Sequence, residues 1–473
     1  MFALNTHGPM QCAMIVIVTL LLGACAHYPV NQKVSAVAEL NNRKAAIEER
    51  LQASKELLLV LAFSGGGTRA AALSYGVLEA LARVELPPAG PTENQAAHGP
   101  RRLLDEVNII SSVSGGSFTA AYYGLHGDRM FQDYKQRFLL KNVTRAIISR
   151  VLFNPYNWMR LWSPTFGRSD LAAEYYDNLL FDGATLGDIR TDGPAILIQA
   201  TDIIDGQYFA FTLWRFKFTC SDWINFPVSR AVAASAAFPG PFGPIILKNY
   251  AGQCDYETPE WITSALAERD VTSRQFQTAK QLNTLADSEA KPFIHLLDGG
   301  IADNLGIRGV TEIMSVRGVQ EGFGDLGIVD TKRIAFIIVN AETRKINEWG
   351  LLGGLPGLLD TIGITSSIMI KRYNYETLHL LRDFLKEERE KVKRGERTDN
   401  PPEIFIIEVG FEALKDTEER NYFSSVPTTL NLPEEQVDRL RAVAGKILFS
   451  APDFKRLVHE LGGRLPPLEG ENK

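Results

Sequence analysis

Three glycine-rich turns contain the residues of this sequence that are best suited to chemistry. The first turn reads SGGGTRA at 64–70, the second SVSGGS at 112–117 and the third DGG at 298–300. Each turn follows an apolar run, and the ligands of an open α/β sheet bind in the crevice beyond the carboxyl ends of its strands. If the three strands are neighbours, we expect the turns to face one common site.

Ser114 in the second turn is the candidate nucleophile. The turn is one residue away from G-x-S-x-G, a strained strand-to-helix bend that exposes a serine and needs small residues two positions before and after it. Gly116 occupies the later position, and Ser112 stands where the earlier glycine would be. A serine between apolar residues and glycine is also common in ordinary loops, so an unreactive turn is the alternative interpretation.

The amides of Gly65, Gly66 and Gly67 are candidates for holding the negative charge that develops on a carbonyl oxygen during acyl transfer. Consecutive glycines at a helix N-terminus offer unhindered N–H groups together with the positive end of the helix dipole. Two other interpretations stay open, a tight turn without a ligand and a dinucleotide fingerprint. The acidic partner of that fingerprint would have to be Glu85, which is not at a strand end.

Asp298, at the end of the apolar run 293–297, is the candidate base. In water a carboxylate with a pKa of about 4 is a poor base, and partial burial raises that pKa and improves proton transfer. An aspartate that only caps the following helix is the alternative. A Ser…Asp…His triad would need His379 or His459, and both lie in segments of helical pattern, where an isolated histidine is usually structural.

The elements around these turns follow an α/β pattern. Apolar runs at 56–63 and 107–113 each break into glycine and continue with helical spacing, which is the signature of a doubly wound sheet. Further strands are predicted at 195–200, 207–213, 293–297, 333–340 and 403–409. Residues 85–102 are predicted to be a loop insertion, residues 251–290 a polar surface excursion, and most of the C-terminal quarter helical.

Composition and charge exclude several classes of protein. The chain has 473 residues, of which 45% are hydrophobic and 22% charged, which is ordinary for a globular protein that can bury a large core. The formal net charge is −6 and no long basic run occurs, so nucleic acid is not an expected partner. No cysteine or histidine spacing typical of a metal site is present. Cys220 and Cys254 could form a disulfide or remain thiols.

The first 26 residues differ from the rest of the chain. From Cys12 to Ala26 only Thr19 is not apolar, and this run of 15 residues fits the core of a secretory signal peptide better than a membrane-spanning helix. It ends in LGAC at 22–25, which resembles the bacterial lipobox. That resemblance implies a diacylated Cys25 at the mature N-terminus. An uncleaved anchor or a generic signal peptide is the alternative, since residues 1–24 contain no Lys or Arg.

Taken together, the three turns resemble those of the patatin-like phospholipase family. Its members carry a glycine-rich turn with a following arginine, a serine elbow and an Asp-Gly motif in this order, and the AASAAFP stretch at 233–239 also resembles a family sequence. The resemblance covers about residues 57–310. It departs from the family pattern at Ser64, where many members have Asp, and at Ser112.

The resemblance implies a modified α/β-hydrolase fold, with a mostly parallel central sheet flanked by helices and a helical C-terminal extension. It also implies a Ser114–Asp298 dyad without histidine. No metal or cofactor is expected. The oxyanion hole is then expected at Gly65, Gly66 and Gly67. Supporting residues are expected at Arg69, Gly116, Gly299 and Gly300. Arg69 would steady the first turn or contact a phosphate.

The activity implied by the resemblance is that of a serine lipid acyl hydrolase of the phospholipase A or lysophospholipase type, a carboxylic ester hydrolase. A catalytically idle protein of the same fold that binds or carries acyl chains is the alternative. The expected partners are a membrane lipid substrate and an N-terminal lipid anchor. The expected location is the bacterial cell envelope, as an outer-membrane lipoprotein facing the periplasm. Nothing in the sequence specifies an oligomeric state.

The same reasoning divides the chain into four segments. Residues 1–24 are predicted to be the signal peptide, and residues 25–56 a tether with a leading helix. Residues 57–345 are predicted to be the catalytic α/β domain. Residues 346–473 are predicted to be a mostly helical region that packs on the catalytic domain.

Overall fold

The first apolar run of the sequence forms an interior strand of the central sheet, buried on both faces. Side chains from alternate positions of Leu57–Phe63 join two different core clusters, one on each face of the sheet. Every residue of this strand is buried, which is why the sequence shows an unbroken apolar run instead of alternation. The prediction of a strand covered on both sides is therefore confirmed.

The computed structural model describes a defined set of residues. They are 26–34, 56–88, 101–311, 331–343, 357–395 and 402–467, with the single positions 41, 42, 45, 49 and 314. The predicted signal peptide, Cys25 and most of the predicted loop insertion lie outside the described residues. Within the described ranges, no helix combines the length and the apolar character needed to cross a bilayer.

A sheet of eight strands forms the centre of the described fold. Its strands are β1 Leu57–Phe63, β2 Val107–Val113, β3 Ala195–Asp202, β4 Gln207–Ala210, β5 Ile245–Lys248, β6 Phe293–Asp298, β7 Arg333–Asn340 and β8 Glu403–Gly410. The order is β5-β6-β3-β2-β1-β7-β8, with β4 paired to β3. The five strands β3-β2-β1-β7-β8, neighbours in the sheet, are parallel to one another. The β3–β4, β3–β6 and β5–β6 pairs are antiparallel. The sheet is mostly parallel, as predicted.

Helices flank this sheet. They are α1 Gly67–Ala82, α2 Gly115–His126, α3 Met130–Tyr134, α4 Val143–Leu152, α5 Pro155–Leu161, α6 Arg168–Tyr176, α7 Leu213–Phe218, α8 Val228–Ser235, α9 Glu260–Glu268, α10 Arg274–Ala286, α11 Gly300–Asp303, α12 Leu358–Lys393, α13 Thr417–Ser425, α14 Glu434–Ser450 and α15 Pro452–Glu460. The C-terminal part is mostly helical, and it also supplies β8 to the central sheet.

Helix α14 packs closely on α1, the helix that follows the first glycine turn. A Cβ atom added to Gly76 would lie 2.4 Å from the carbonyl oxygen of Arg441, so the two helices approach each other at a glycine. The Arg441 guanidinium pairs with the Glu79 carboxylate over 2.6 Å and lies above the ring of Tyr75. The C-terminal region thus contacts the element that begins at the first turn.

Three stretches differ from the sequence prediction. Residues 251–290 contain the helices α9 and α10, whose few buried apolar side chains form a stripe too narrow to stand out in a polar sequence. Strand β5 has four residues, and its pairing with β6 is what makes it a strand. The strand predicted at 207–213 ends at Ala210, and α7 begins at Leu213.

Cys220 and Cys254 form a disulfide, with their Cα atoms 5.6 Å apart. The sequence left this pairing open, because a spacing of 34 residues fits both a disulfide and two separate thiols. The bond joins the end of α7 to the segment that follows β5.

Candidate active site

Ser114 lies at the sharp bend between β2 and α2. Its backbone has φ 51° and ψ −118°, a conformation that is rare outside glycine and costs about 1–3 kcal/mol. A Cβ atom added to Gly115 would lie 2.1 Å from the Gly67 oxygen, and one added to Gly116 would lie 2.7 Å from the Phe63 oxygen. The bend therefore packs directly against the first glycine turn, and a glycine is sterically required at 116.

The two departures from the family pattern have local explanations. The buried Oγ of Ser112 donates to the Leu197 carbonyl oxygen on the neighbouring strand, over 3.1 Å, so a serine is satisfied at that position. The Oγ of Ser64 donates to the Gly65 oxygen over 3.2 Å and accepts the Ala341 N–H over 2.9 Å. Ser64 therefore links the end of β1 to the end of β7.

The Ser114 Oγ donates a hydrogen bond to Asp298 Oδ2 over 2.8 Å. Strand register explains the meeting, because Val113 pairs with Gln199 on β3 and Asp298 pairs with Ala200 on the same strand. The two side chains thus lie at the same height of the sheet. Strand β6 is not a direct neighbour of β2, because β3 lies between them, and β6 runs antiparallel to β3. It reaches the site because it pairs only with the last three residues of β3.

The carboxylate of Asp298 is buried, with the residue 5% exposed. Its Oδ1 accepts the Gly300 N–H over 2.8 Å. Burial raises the pKa of Asp298 to about 6, and the hydrogen bonds from Gly300 and Ser114 limit the rise. A carboxylate of this pKa is ionised at neutral pH and is a stronger base than one in water. Gly299 has no room for a side chain, because an added Cβ would lie 2.4 Å from the Gln199 oxygen.

Ser235, a fully buried residue of the AASAAFP stretch, holds the second and third turns together. Its Oγ accepts the backbone N–H of Ser114 over 2.8 Å, contacts Ser117 Oγ at 2.9 Å and donates to the Gln199 oxygen over 2.5 Å. Its carbonyl oxygen accepts the Gly299 N–H over 3.1 Å. The AASAAFP stretch is the sequence signal for this residue, but the motif alone gives the serine no role.

Of the three first-turn amides that the sequence offers for an oxyanion hole, two are without an acceptor among the described residues. The Gly65 N–H donates to the Asn304 carbonyl oxygen over 3.0 Å, so it is already occupied, and the prediction that Gly65 belongs to the oxyanion hole is corrected. Gly65 nevertheless lies beside the nucleophile, since an added Cβ would be 3.3 Å from the Ser114 Cβ. Among the described residues, the N–H groups of Gly66 and Gly67 have no acceptor. They stand at the positive end of α1.

Arg69 is buried and fastens this turn to the C-terminal part of the chain. Its Nε donates to the Ala341 oxygen over 2.8 Å, and its Nη1 donates to the Val426 oxygen over 2.6 Å. A Cβ added to Gly66 would lie 3.1 Å from its Nη2. Burial lowers the pKa of Arg69 to about 10, which leaves the side chain a cation at neutral pH. Of the two roles expected for Arg69, these contacts favour steadying the loop.

The C-terminal part of the chain also contacts the backbone of the first turn. The Thr68 N–H donates to the Thr429 carbonyl oxygen over 2.8 Å. Gly67 has φ +60°, and an added Cβ there would lie 2.4 Å from that oxygen. A side chain at 67 would therefore displace the segment that follows α13.

Among the described residues, no histidine completes a catalytic triad with Ser114. Neither Ser114 nor Asp298 hydrogen bonds to a histidine in the described ranges. The His379 ring lies beside the Tyr375 ring, tilted to it with 4.1 Å between the centroids, and His459 is exposed on α15. No group of three His, Cys, Asp or Glu side chains arranged to hold a metal occurs there either.

A serine at a strained strand-to-helix bend, on a mixed sheet flanked by helices, is the arrangement of the modified α/β-hydrolase fold. The sequence model of the patatin-like phospholipase family matches residues 61–311, which is 251 of the 473 residues and includes all three turns. The chain belongs to this family, and its membership implies lipid acyl hydrolase activity.

Solved structures were also found to be similar. Human GIVD cytosolic phospholipase A2 is 12% identical, with a TM-score of 0.44 over 92% of this chain and 68% of that chain. The same human protein in complex with methyl gamma-linolenyl fluorophosphonate inhibitor and terbium chloride is 13% identical, with a TM-score of 0.39 over 91% and 64%. No curated protein sequence matches the chain significantly.

Proposed function

We propose that the chain is a serine acyl hydrolase of the phospholipase A or lysophospholipase type that cleaves ester bonds of membrane lipids with a Ser114–Asp298 dyad. The observation that carries this proposal is the 2.8 Å hydrogen bond from Ser114 Oγ to the buried Asp298 carboxylate. Membership in the family supports a lipid ester as the substrate class.

In the first half of the reaction, Ser114 Oγ attacks the carbonyl carbon of the ester while Asp298 takes the hydroxyl proton. The negative charge moves to the carbonyl oxygen, where the Gly66 and Gly67 amides can donate to it. Collapse of the tetrahedral intermediate expels the alcohol, which receives the proton from Asp298. The acyl group is then bound to Ser114 as an ester.

In the second half, a water molecule loses a proton to Asp298 and attacks the acyl carbonyl. The same two amides hold the charge again, and the fatty acid leaves as Ser114 recovers its proton. A pKa of about 6 suits Asp298 to both directions of transfer, because the group is ionised at neutral pH yet accepts a proton more readily than an exposed carboxylate.

A serine-directed fluorophosphonate probe and lipid-class profiling of products test this proposal together. We expect the purified protein to be labelled by the probe and to release fatty acid from phospholipid or lysophospholipid, and both signals to disappear in Ser114→Ala. A folded protein that binds fatty acid but is neither labelled nor active would instead be the idle acyl-chain carrier. A shift in melting temperature with nucleotides would favour the dinucleotide alternative.

We also propose that acyl groups on Cys25 anchor the protein in the bacterial cell envelope, as an outer-membrane lipoprotein facing the periplasm. The LGAC sequence at 22–25 supports this proposal, and several buried acyl chains together hold a protein on a bilayer stably. We expect an alkynyl palmitate label to appear on the protein in cells and to be lost in Cys25→Ser. Equal labelling of both proteins would contradict lipidation at this residue.

A further inference from the structure

Helices α4 and α5 carry a cluster of exposed apolar side chains. Of the 15 large hydrophobic side chains that are exposed in the described residues, six lie between 148 and 162. They are Ile148, Leu152, Phe153, Tyr156, Trp158 and Trp162. Single exposed apolar residues are normal, but a dense cluster usually marks an interaction site. We refer to these six residues as the aromatic patch.

The aromatic patch is held in place by polar contacts underneath it. The Trp158 Nε1–H donates to the Val151 oxygen over 2.7 Å, and the buried Asn157 side chain donates to the Arg150 oxygen over 3.1 Å. Both bonds fold α5 back against α4. With these contacts in place, Phe153 remains 78% exposed and Trp162 69% exposed. These side chains are therefore exposed while α4 and α5 are packed together.

All charged residues in the stretch of sequence around the aromatic patch are basic. Residues 141–169 contain five basic side chains and no acidic one, in a chain whose net charge is −6. They are Lys141, Arg145, Arg150, Arg160 and Arg168. All except Arg160 are exposed, and Arg160 pairs with Glu174 of α6. Basic residues around exposed Trp and Tyr match the headgroup region of an anionic bilayer.

The N-terminal segment meets the fold directly beside the aromatic patch. The Ala26 carbonyl oxygen accepts hydrogen bonds from the hydroxyls of Ser163 and Thr165, and the Tyr28 N–H donates to the Thr165 oxygen over 3.0 Å. Ser163 follows Trp162 in the chain. Cys25, the proposed acylation site, directly precedes Ala26 in the chain, so a bilayer that holds its acyl groups lies next to the patch.

We propose that the aromatic patch docks on the surface of a bilayer containing anionic phospholipid. The exposed aromatic rings insert at the headgroup level, the exposed basic side chains around them contact lipid phosphates, and the acyl groups proposed on Cys25 hold the chain at the same surface. This inference rests on the proposed function for the choice of a lipid bilayer as the partner.

Hydrogen exchange on the full chain tests the docking directly. The chain carries Ser114→Ala, so that vesicles of phosphatidylcholine and phosphatidylglycerol stay intact during the measurement. We expect amide exchange in 143–162 to slow by about fivefold or more on vesicle binding, since the docked helices lose access to solvent. Helices α9 and α10 serve as the control, because the loop between them also exposes an apolar side chain, Val271. Amide exchange in these two helices is expected to be unchanged. Vesicle binding without slower exchange in 143–162, or no vesicle binding, overturns the proposal.

A pair of double variants separates docking from catalysis. In Phe153→Ser with Trp162→Ser, we expect turnover of lipid in anionic vesicles to fall by about tenfold or more, because two large apolar side chains no longer leave water. Turnover of a soluble short-chain ester should not change. Val271→Ser with Phe293→Ser removes two exposed apolar side chains elsewhere and is expected to leave both rates unchanged. An equal loss on both substrates, or no loss on vesicles, contradicts docking by the patch.

The two measurements also keep the two proposals apart. If the chain hydrolyses neither substrate, the proposed function fails, and the exchange experiment with Ser114→Ala still shows whether the patch binds a bilayer. If the soluble ester is hydrolysed and exchange in 143–162 is unaffected by vesicles, only the docking proposal fails.

Discussion

The two halves of the candidate active site are held by different parts of the chain. Ser114, Ser235 and Asp298, which form the nucleophile half, all lie within the 61–311 range matched by the family and bind one another directly. The amide half, formed by Gly66 and Gly67, is fastened from outside that range. Arg69 reaches Val426 across 357 positions of the sequence, and the Ser114–Asp298 bond spans 184.

This difference shows that the C-terminal region is part of the site. Carbonyl oxygens at 341, 426 and 429 accept hydrogen bonds from the residues that follow Gly67, and no motif in the sequence marks those oxygens. The nucleophile half carries the recognisable motifs because its backbone needs particular residue types. The amide half needs only backbone carbonyls, which any residue supplies.

The largest expected effect is in the nucleophile half. Asp298→Asn removes the proton acceptor while keeping the side chain's shape, so we expect kcat on a soluble ester to fall by about 10²–10⁴-fold. Stopped assays on the purified variant measure the loss. Near-normal turnover in a variant with unchanged melting behaviour would show that another group accepts the proton.

Although Asp298→Asn is expected to lower activity, it is expected to raise the stability of the fold at alkaline pH. Burial raises the pKa of folded Asp298 from 3.8 to about 6, so its protonation stabilises the fold below about pH 4 and that contribution is lost as the pH rises through 6. At pH 8 the Asp298→Asn protein should therefore be more stable than the wild type, on the order of 1–3 kcal/mol. Urea unfolding at pH 4 and pH 8 measures this, and a variant less stable at pH 8 than at pH 4 relative to the wild type would contradict it.

In the amide half, Arg69→Lys keeps the positive charge but loses the planar fork that reaches two carbonyl oxygens. We expect kcat to fall by about 30-fold, because the Gly66 and Gly67 amides are less well positioned for the oxyanion. The pH dependence should keep the same midpoint, since Asp298 is untouched. A shifted midpoint would show that the two halves are electrostatically coupled.

Ser235→Ala is expected to have the smallest effect on turnover. The variant leaves the backbone N–H of Ser114 without its acceptor, and we expect kcat to fall by about tenfold while KM stays the same. Ser235→Thr retains the hydroxyl and should recover part of the rate. A loss of stability with unchanged kcat would make Ser235 a purely structural residue.

The sequence predicted those features that depend on local backbone demands. The strand Leu57–Phe63, the bend at Ser114 and the glycine at 116 follow from burial on two faces and from steric crowding, and each leaves its mark in the nearby residues. The occupied amide of Gly65 could not be predicted, because its acceptor on Asn304 lies in a distant loop. The antiparallel direction of β6 likewise depends on chain connections that no local pattern records.

The central claim is that Asp298 activates Ser114, and the pH dependence of fluorophosphonate labelling tests it most directly. The measurement reads the nucleophile itself and needs no lipid interface. We predict that the labelling rate rises with pH to a plateau with a midpoint near 6, and that this dependence is lost in Asp298→Asn, which is labelled slowly at every pH. Rapid labelling of Asp298→Asn with an unchanged pH midpoint would contradict the claim.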